Sequence, residues 1–129
     1  MSGAVIDASA LIALLLAEPG ADKVQAALPS ATMSTVNYAE IVGFFARNGA
    51  TDDAIQALLS PLPIQLTPLD TDLARAAGML LPATRRAGLS LGDRACLALA
   101  HRLGVPALTA DRAWSDIADT IGVNVTLIR

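Results

Sequence analysis

The sequence is short of aromatics, sulfur, histidine and lysine, and each shortage removes an explanation. Aromatic residues make up 3% of the 129, so any core rests on Ala, Leu, Val and Ile. Cys96 is the only cysteine, which excludes an internal disulfide. It lies in an apolar helical stretch and reads as a small core hydrophobe before it reads as a nucleophile. The lack of cystines is in keeping with a cytoplasmic protein. His101 is the only histidine and reads as a helix-surface residue before it reads as a general base. No run is long enough for a membrane. The longest, Ala8 to Ala17, is interrupted by Ser9 and closed by Glu18-Pro19-Gly20, whereas a bilayer span needs about 20 residues. No Lys or Arg precedes that run, so it lacks the charged start of a signal peptide. No internal repeat or low-complexity segment stands out.

What is present is a chain that is 53% hydrophobic and 16% charged. That is enough to bury a core and too apolar for disorder, and the length predicts one domain over residues 1–129. The net charge of −3 argues at face value against a nucleic-acid partner. Four particular acids account for it, however. Setting aside Asp7, Glu40, Asp93 and Asp111 leaves eight Asp and Glu against nine Lys and Arg. Lys23 is the only lysine among those cations. Arginine forks suit phosphate, although base composition explains the same bias more simply.

Breakers and caps divide the chain into short units. Ala4-Val5-Ile6 reads as a buried strand, Ser9 to Leu16 as a helix ended by Glu18-Pro19-Gly20, and Ala21 to Leu28 as a helix stopped by Pro29. Ala31-Thr32-Met33 is a short strand. Ser34 or Thr35 then caps a helix to about Asn48, with Gly49 as its stop. Thr51 caps Thr51 to Leu59, Ile64-Gln65-Leu66 is a strand, and Asp70 or Thr71 starts a helix to about Leu81. Thr84 to Gly88 reads as a polar connector. Ser90 caps Leu91 to Leu103, Val105 to Thr109 is a strand, Asp111 to Thr120 a loop and short helix, and Val123 to Ile128 a last strand. Strands alternating with helices predict a largely parallel sheet covered on both faces.

Asp7 directly follows the first strand and Asp111 directly follows a later one. Glu40 and Asp93 lie on two amphipathic helical patterns. If the two strands pair in one parallel sheet, all four acids can meet at its carboxyl edge, where such sheets bind ligands. Gathered carboxylates repel one another, and a hard divalent cation resolves that conflict. Each acid also has a plainer reading. Asp7 suits a helix N-cap, with Ser9 as a competing cap. Asp93 in Ser90-Leu91-Gly92-Asp93-Arg94 is a common first-turn acid, Asp111 suits a turn, and Glu40 suits a solvated helix face. Gly92 is harder to explain plainly, because glycine in a helix is about 1 kcal/mol less favourable than alanine. Its place implies a close approach to the backbone. Arg94 follows Asp93, Arg112 follows Asp111, and Arg85 and Arg86 fall in the connector before Ser90, as phosphate contacts at the rim of an acidic site or as ordinary surface arginines.

Together, Asp7-Ala8-Ser9 after an N-terminal strand, Ser34 to Glu40, Leu91-Gly92-Asp93-Arg94 and Leu108-Thr109-Ala110-Asp111-Arg112 resemble the PIN-domain ribonucleases. The similarity is closest to the VapC toxins of type II toxin–antitoxin pairs. It runs in order along nearly the whole chain, and its weight lies in the ordered set rather than in any one motif. The resemblance implies a three-layer α/β/α sandwich with a central, mainly parallel sheet. It implies Mg2+- or Mn2+-dependent RNA cleavage to a 5′-phosphate and a 3′-hydroxyl. Asp7, Glu40, Asp93 and Asp111 would be catalytic and metal-holding, with Ser9 and Thr109 as polar support and Arg94, Arg112 and Arg86 on RNA phosphates. It also implies a VapB-like antitoxin and a homodimer. Other acid-centred α/β modules fail at named residues. A receiver domain wants a late lysine, and the only one is Lys23. A haloacid-dehalogenase-type phosphatase wants an aspartate where Ser9 stands, and a metal-dependent adhesion site wants a serine where Leu11 stands. An inert PIN-like binding module remains the alternative of a different class.

Overall fold

The computed structural model describes residues 3–129. Five strands, β1 (Ala4–Ile6), β2 (Ala31–Ser34), β3 (Gln65–Thr67), β4 (Ala107–Thr109) and β5 (Val125–Leu127), form one sheet in the order β3-β2-β1-β4-β5. All four pairings are parallel. The helices are α1 (Ala8–Leu15), α2 (Ala21–Ala27), α3 (Thr35–Arg47), α4 (Asp52–Leu59), α5 (Thr71–Met79), α6 (Leu81–Thr84), α7 (Leu91–Leu103) and α8 (Ala118–Ile121). The expected α/β/α sandwich is what the chain forms.

Local chemistry explains why the helices begin where they do. Asp7, Ser34, Thr51, Asp70 and Ser90 each have extended backbone, and each side chain accepts a bond from an N–H two or three residues on. Such caps satisfy donors that the helix itself leaves free. Alternation along β1 then sorts the core. Ala4 and Ile6 pack on one face with residues of α1 to α4, and Val5 packs on the other with α5, α7 and Trp114. Gly20 opens α2 at φ +94, where a Cβ would lie 2.5 Å from the Ile128 carbonyl oxygen, so the chain's end passes directly over it.

Three expectations need correction. Thr84, read as the start of a polar connector, is fully buried, and its hydroxyl donates to the Leu80 carbonyl at 2.8 Å. The helix expected to run to Leu81 ends at Met79, and α6 follows it. A threonine that bonds back into its own turn can be buried at little cost. Ser9, read as a helix cap, does not cap. Asp7 does, by accepting from the Ala10 N–H at 2.9 Å.

The sheet is built outward from its middle. The chain runs from β1 through β2 to β3, then returns to the other side of β1 for β4 and β5. β1 and β4 therefore flank the switch point, and a crevice opens there beyond their carboxyl ends.

Candidate active site

Asp7 and Thr109 stand at that switch point. Asp7 follows β1 and Thr109 ends β4. The Thr109 hydroxyl donates to Asp7 Oδ2 at 2.6 Å. The Ser9 hydroxyl donates to the same carboxylate at 2.8 and 3.0 Å and accepts from the Ala110 N–H at 3.0 Å. Two strands with no sequence neighbours in common are thus tied together through one carboxylate. Asp111 extends the arrangement. Its N–H donates to Thr109 Oγ1 and its own Oδ1 accepts from the Ala113 N–H, both at 3.0 Å.

From the other side come α3 and α7. Asp93 forms a reciprocal capping pair with Ser90. The Ser90 N–H donates to Asp93 Oδ2 at 2.8 Å, and the Asp93 N–H donates to Ser90 Oγ at 3.2 Å. Asn37, fully buried, spans the two helices. Its Nδ2 donates to Glu40 Oε1 at 2.8 Å and to the Gly92 carbonyl at 3.1 Å. Gly92 is where the close approach implied by its sequence position occurs. A Cβ there would fall on the Glu40 carboxylate.

The four acids line one cleft of about 480 Å³, together with Ser9, Asn37, Phe44 and Arg47. For Asp7, Asp93 and Asp111 the plain and the functional readings therefore both hold. Each satisfies backbone donors at the start of a helical segment and faces the cleft as well. Of the arginines expected at the rim, none lines this cleft. Arg94 instead donates to the Ala77 carbonyl at 3.0 Å, tying α7 to α5, while Arg112 and Arg86 are exposed. The cleft's cation is Arg47, which the sequence did not single out, nor did it single out Asn37, while Phe44 stood out only as an apolar neighbour of Glu40 and not as a cleft residue. Helical spacing from Glu40 would have found all three, because 37, 40, 44 and 47 share one face.

Burial dominates the electrostatics of Asp7, whose pKa is pushed up from 3.8 to about 6. Bonds from Thr109, Ala10 and Ser9 oppose the rise, and the Asp93 carboxylate adds to it. Cys96 is buried, and desolvation with the nearby Asp7, Asp93 and Glu40 carboxylates pushes its thiol well above the ordinary range. That is the behaviour of a core residue.

Among the described residues, no three acidic, histidine or cysteine side chains are already gathered tightly enough to chelate an ion. The donor set nevertheless fits a hard divalent cation. It is all carboxylate oxygen, and burial makes the carboxylate at its base reluctant to ionise, a penalty that a bound cation would offset.

Fold and site together define an α/β protein with an acid-lined cleft at a sheet switch point. The PIN-domain family model matches residues 4–120. Ribonuclease VapC of Mycolicibacterium smegmatis is 35% identical over 127 residues, covering 88% of this chain and 97% of that protein. Ribonuclease VapC42 of Mycobacterium tuberculosis is 32% identical over 114 residues, covering 81% and 87%. The DNA-bound VapBC structure from Salmonella typhimurium aligns over 100% of both chains with a TM-score of 0.75 at 14% identity. The sarcin-ricin-loop-cleaving toxin VapC20 of Mycobacterium tuberculosis covers 88% of this chain and 94% of its own, with a TM-score of 0.71 at 19% identity. These two structures speak for the fold alone. The chain belongs to the PIN-domain family, among its VapC members.

The Thr109 bond makes a prediction. Thr109→Val keeps the side-chain shape and removes a donor that favours ionised Asp7. The Asp7 midpoint, followed by carbon-detected NMR of its carboxyl in metal-free protein, should move above its wild-type value. An unchanged or lower midpoint would show that the bond at 2.6 Å does not govern this carboxylate.

Proposed function

We propose that this protein is a divalent-metal-dependent endoribonuclease and the toxin of a type II toxin–antitoxin pair. The observation behind this reading is the convergence of Asp7, Glu40, Asp93 and Asp111, from four separate segments, on one cleft. Kinship to VapC ribonucleases at 32–35% identity supports it. Asp7 and Asp93 are the residues to hold an Mg2+ or Mn2+ ion directly, with Glu40 and Asp111 completing the site. Such an ion supplies an activated water and offsets charge on the phosphate. The chain's own part is positional. Thr109 and Ser9 orient Asp7, Asn37 orients Glu40, and the Ser90 cap holds Asp93 at the head of α7.

A free ribonuclease endangers its own cell, so the reading includes a VapB-like antitoxin. Its apolar helix would lie in a surface groove, and a cationic side chain would enter the acidic cleft. Self-association as a homodimer is also part of the proposal. Phe44 and Phe45, adjacent aromatics that in sequence fall on different faces of one helix and so suggest a surface covered by a partner, do not argue for it. Phe45 packs on the core cluster that β1 shares with α1 to α4, and Phe44 lines the cleft. The support lies instead in Met79, Leu81 and Leu91, which are 73%, 44% and 51% exposed around α5 to α7.

The deciding experiment is cleavage of total RNA by purified protein with Mg2+, with Mn2+ and with excess EDTA. Cleavage in the metals that EDTA abolishes is the expected outcome, and Asp93→Asn should lose it while remaining folded. No cleavage with either metal favours the inert binding module. In cells, expression alone should slow growth, and co-expression of the antitoxin should restore it. Harmless expression identical to that of Asp93→Asn would remove the toxin assignment.

A further inference from the structure

The wall that α3 gives to the cleft does more than hold Glu40. Phe44 is one helical turn beyond Glu40 and Arg47 almost two, so the stripe leads away from the carboxylates along a line of about 10 Å at 1.5 Å per residue. The Phe44 ring is half-buried, and the Phe45 ring holds it edge-on, with centroids 5.1 Å apart and planes at 85°. Phe45 is itself packed on the core, so the Phe44 ring is braced on one side by a core residue. The guanidinium carbon of Arg47 lies 5.7 Å from the Phe44 centroid. Arg47 is exposed and takes no part in the ion pairs among the described residues, which involve Arg75, Arg102 and Arg129. It is also the only cation among the residues lining the cleft.

We propose that Phe44 and Arg47 form a nucleotide subsite beside the acidic centre, where an unpaired base stacks on the Phe44 ring and Arg47 pairs with a neighbouring phosphate. The proposal rests on the ribonuclease reading and goes beyond it by assigning two residues of the α3 wall to holding the strand. Bases in a duplex have their faces covered, whereas an unpaired base offers a π-face to any aromatic side chain. Four carboxylates repel a polyanion, and Arg47 provides the opposite charge within the same cleft. Its planar fork suits a phosphate, and its position against the ring adds a cation–π face to the platform. Gly43 keeps the wall open between Glu40 and Arg47, with open space where a Cβ would project.

The test uses a single-stranded RNA of defined sequence without self-complementarity, carrying a fluorescent adenine analogue whose emission falls on stacking. It is titrated into full-length protein in EDTA, where no cleavage competes. Wild type should quench the analogue, and the annealed duplex should not. Phe44→Leu should lose the quench and weaken binding on the order of tenfold to a hundredfold, while Phe44→Trp should retain both. Arg47→Gln, at an exposed position that does not threaten folding, should weaken binding and make its logarithmic salt dependence shallower by about 0.7. In Mg2+ on total RNA, Phe44→Leu and Arg47→Gln should raise KM with a smaller change in kcat. Unchanged binding and quenching in Phe44→Leu, with an unchanged salt slope in Arg47→Gln, overturns the subsite. If Phe44→Leu is unfolded by its melting curve, Arg47→Gln and Phe44→Trp decide alone. Phe44-dependent quenching by a wild type that cleaves nothing keeps the subsite and removes the ribonuclease. Cleavage that neither variant impairs does the reverse.

Discussion

Asp7→Asn should abolish RNA cleavage and at the same time stabilise the metal-free protein at neutral pH. Asp7 is 4% exposed, and its folded pKa is raised from 3.8 to about 6. The folded state thus holds a proton more firmly than the unfolded state. Below the unfolded value both states are protonated and the group is neutral in its effect. Between the two values the unfolded chain ionises first, and stability falls as pH rises. Above about 6 the full penalty applies, on the order of 3 kcal/mol as an upper figure. Asparagine carries no charge at any of these pH values. It still offers an oxygen to the Ala10 N–H, while its amide can donate to the Ser9 and Thr109 hydroxyls. In EDTA at pH 7.5 its melting temperature should exceed that of wild type by roughly 5 °C. At pH 4 the difference should vanish, and saturating Mg2+ should close it by stabilising wild type alone. Cleavage should fall by about a hundredfold or more, as when a group that stabilises charge in the transition state is lost. A variant less stable than wild type at pH 7.5 would show that the buried carboxylate is not a strained one.

Gly92→Ala should impair cleavage without weakening the fold. The added Cβ would fall on the Glu40 carboxylate. Glu40 is exposed and its end is flexible, so the carboxylate moves rather than the helices. The bond from Asn37 Nδ2 at 2.8 Å is then lost. Alanine is about 1 kcal/mol better than glycine within a helix, which offsets that loss. A melting temperature within a few degrees of wild type is expected, with kcat/KM down by roughly tenfold to a hundredfold, since small displacements of a positioned group have effects of that size. The double variant Glu40→Ala with Gly92→Ala should be no worse than Glu40→Ala alone, because both act through the same carboxylate. Additive losses would place the role of Gly92 elsewhere.

These two residues show how differently the site could be read in advance. Asp7 stood out because a strand ended at it. The oddity of Gly92 was visible, since a glycine in a first turn asks for a reason. That the reason was Glu40, far away in sequence, was not visible, because nothing local specifies which helix packs there. The same limit explains the arginines. Arg94 and Arg112 adjoin acids in sequence, yet neighbours on a helix point in different directions. The packing of α7 on α5 turned Arg94 toward the Ala77 carbonyl. Arg47, seven positions from Glu40, shares its face and reached the cleft instead.

By itself the sequence determined the order of strands and helices, most helix starts and the four acids. All of these depend on interactions spanning a few residues, namely caps, breakers and the period of apolar positions. Only the tertiary structure decided that β4 lies beside β1, so that Thr109 could reach Asp7 across 102 positions of chain. It alone turned Phe45 into the core and left Phe44 in the cleft, and it buried Thr84. The reason is physical. A cap is satisfied within its own turn, whereas the face a side chain presents is settled by which distant surface excludes water from it.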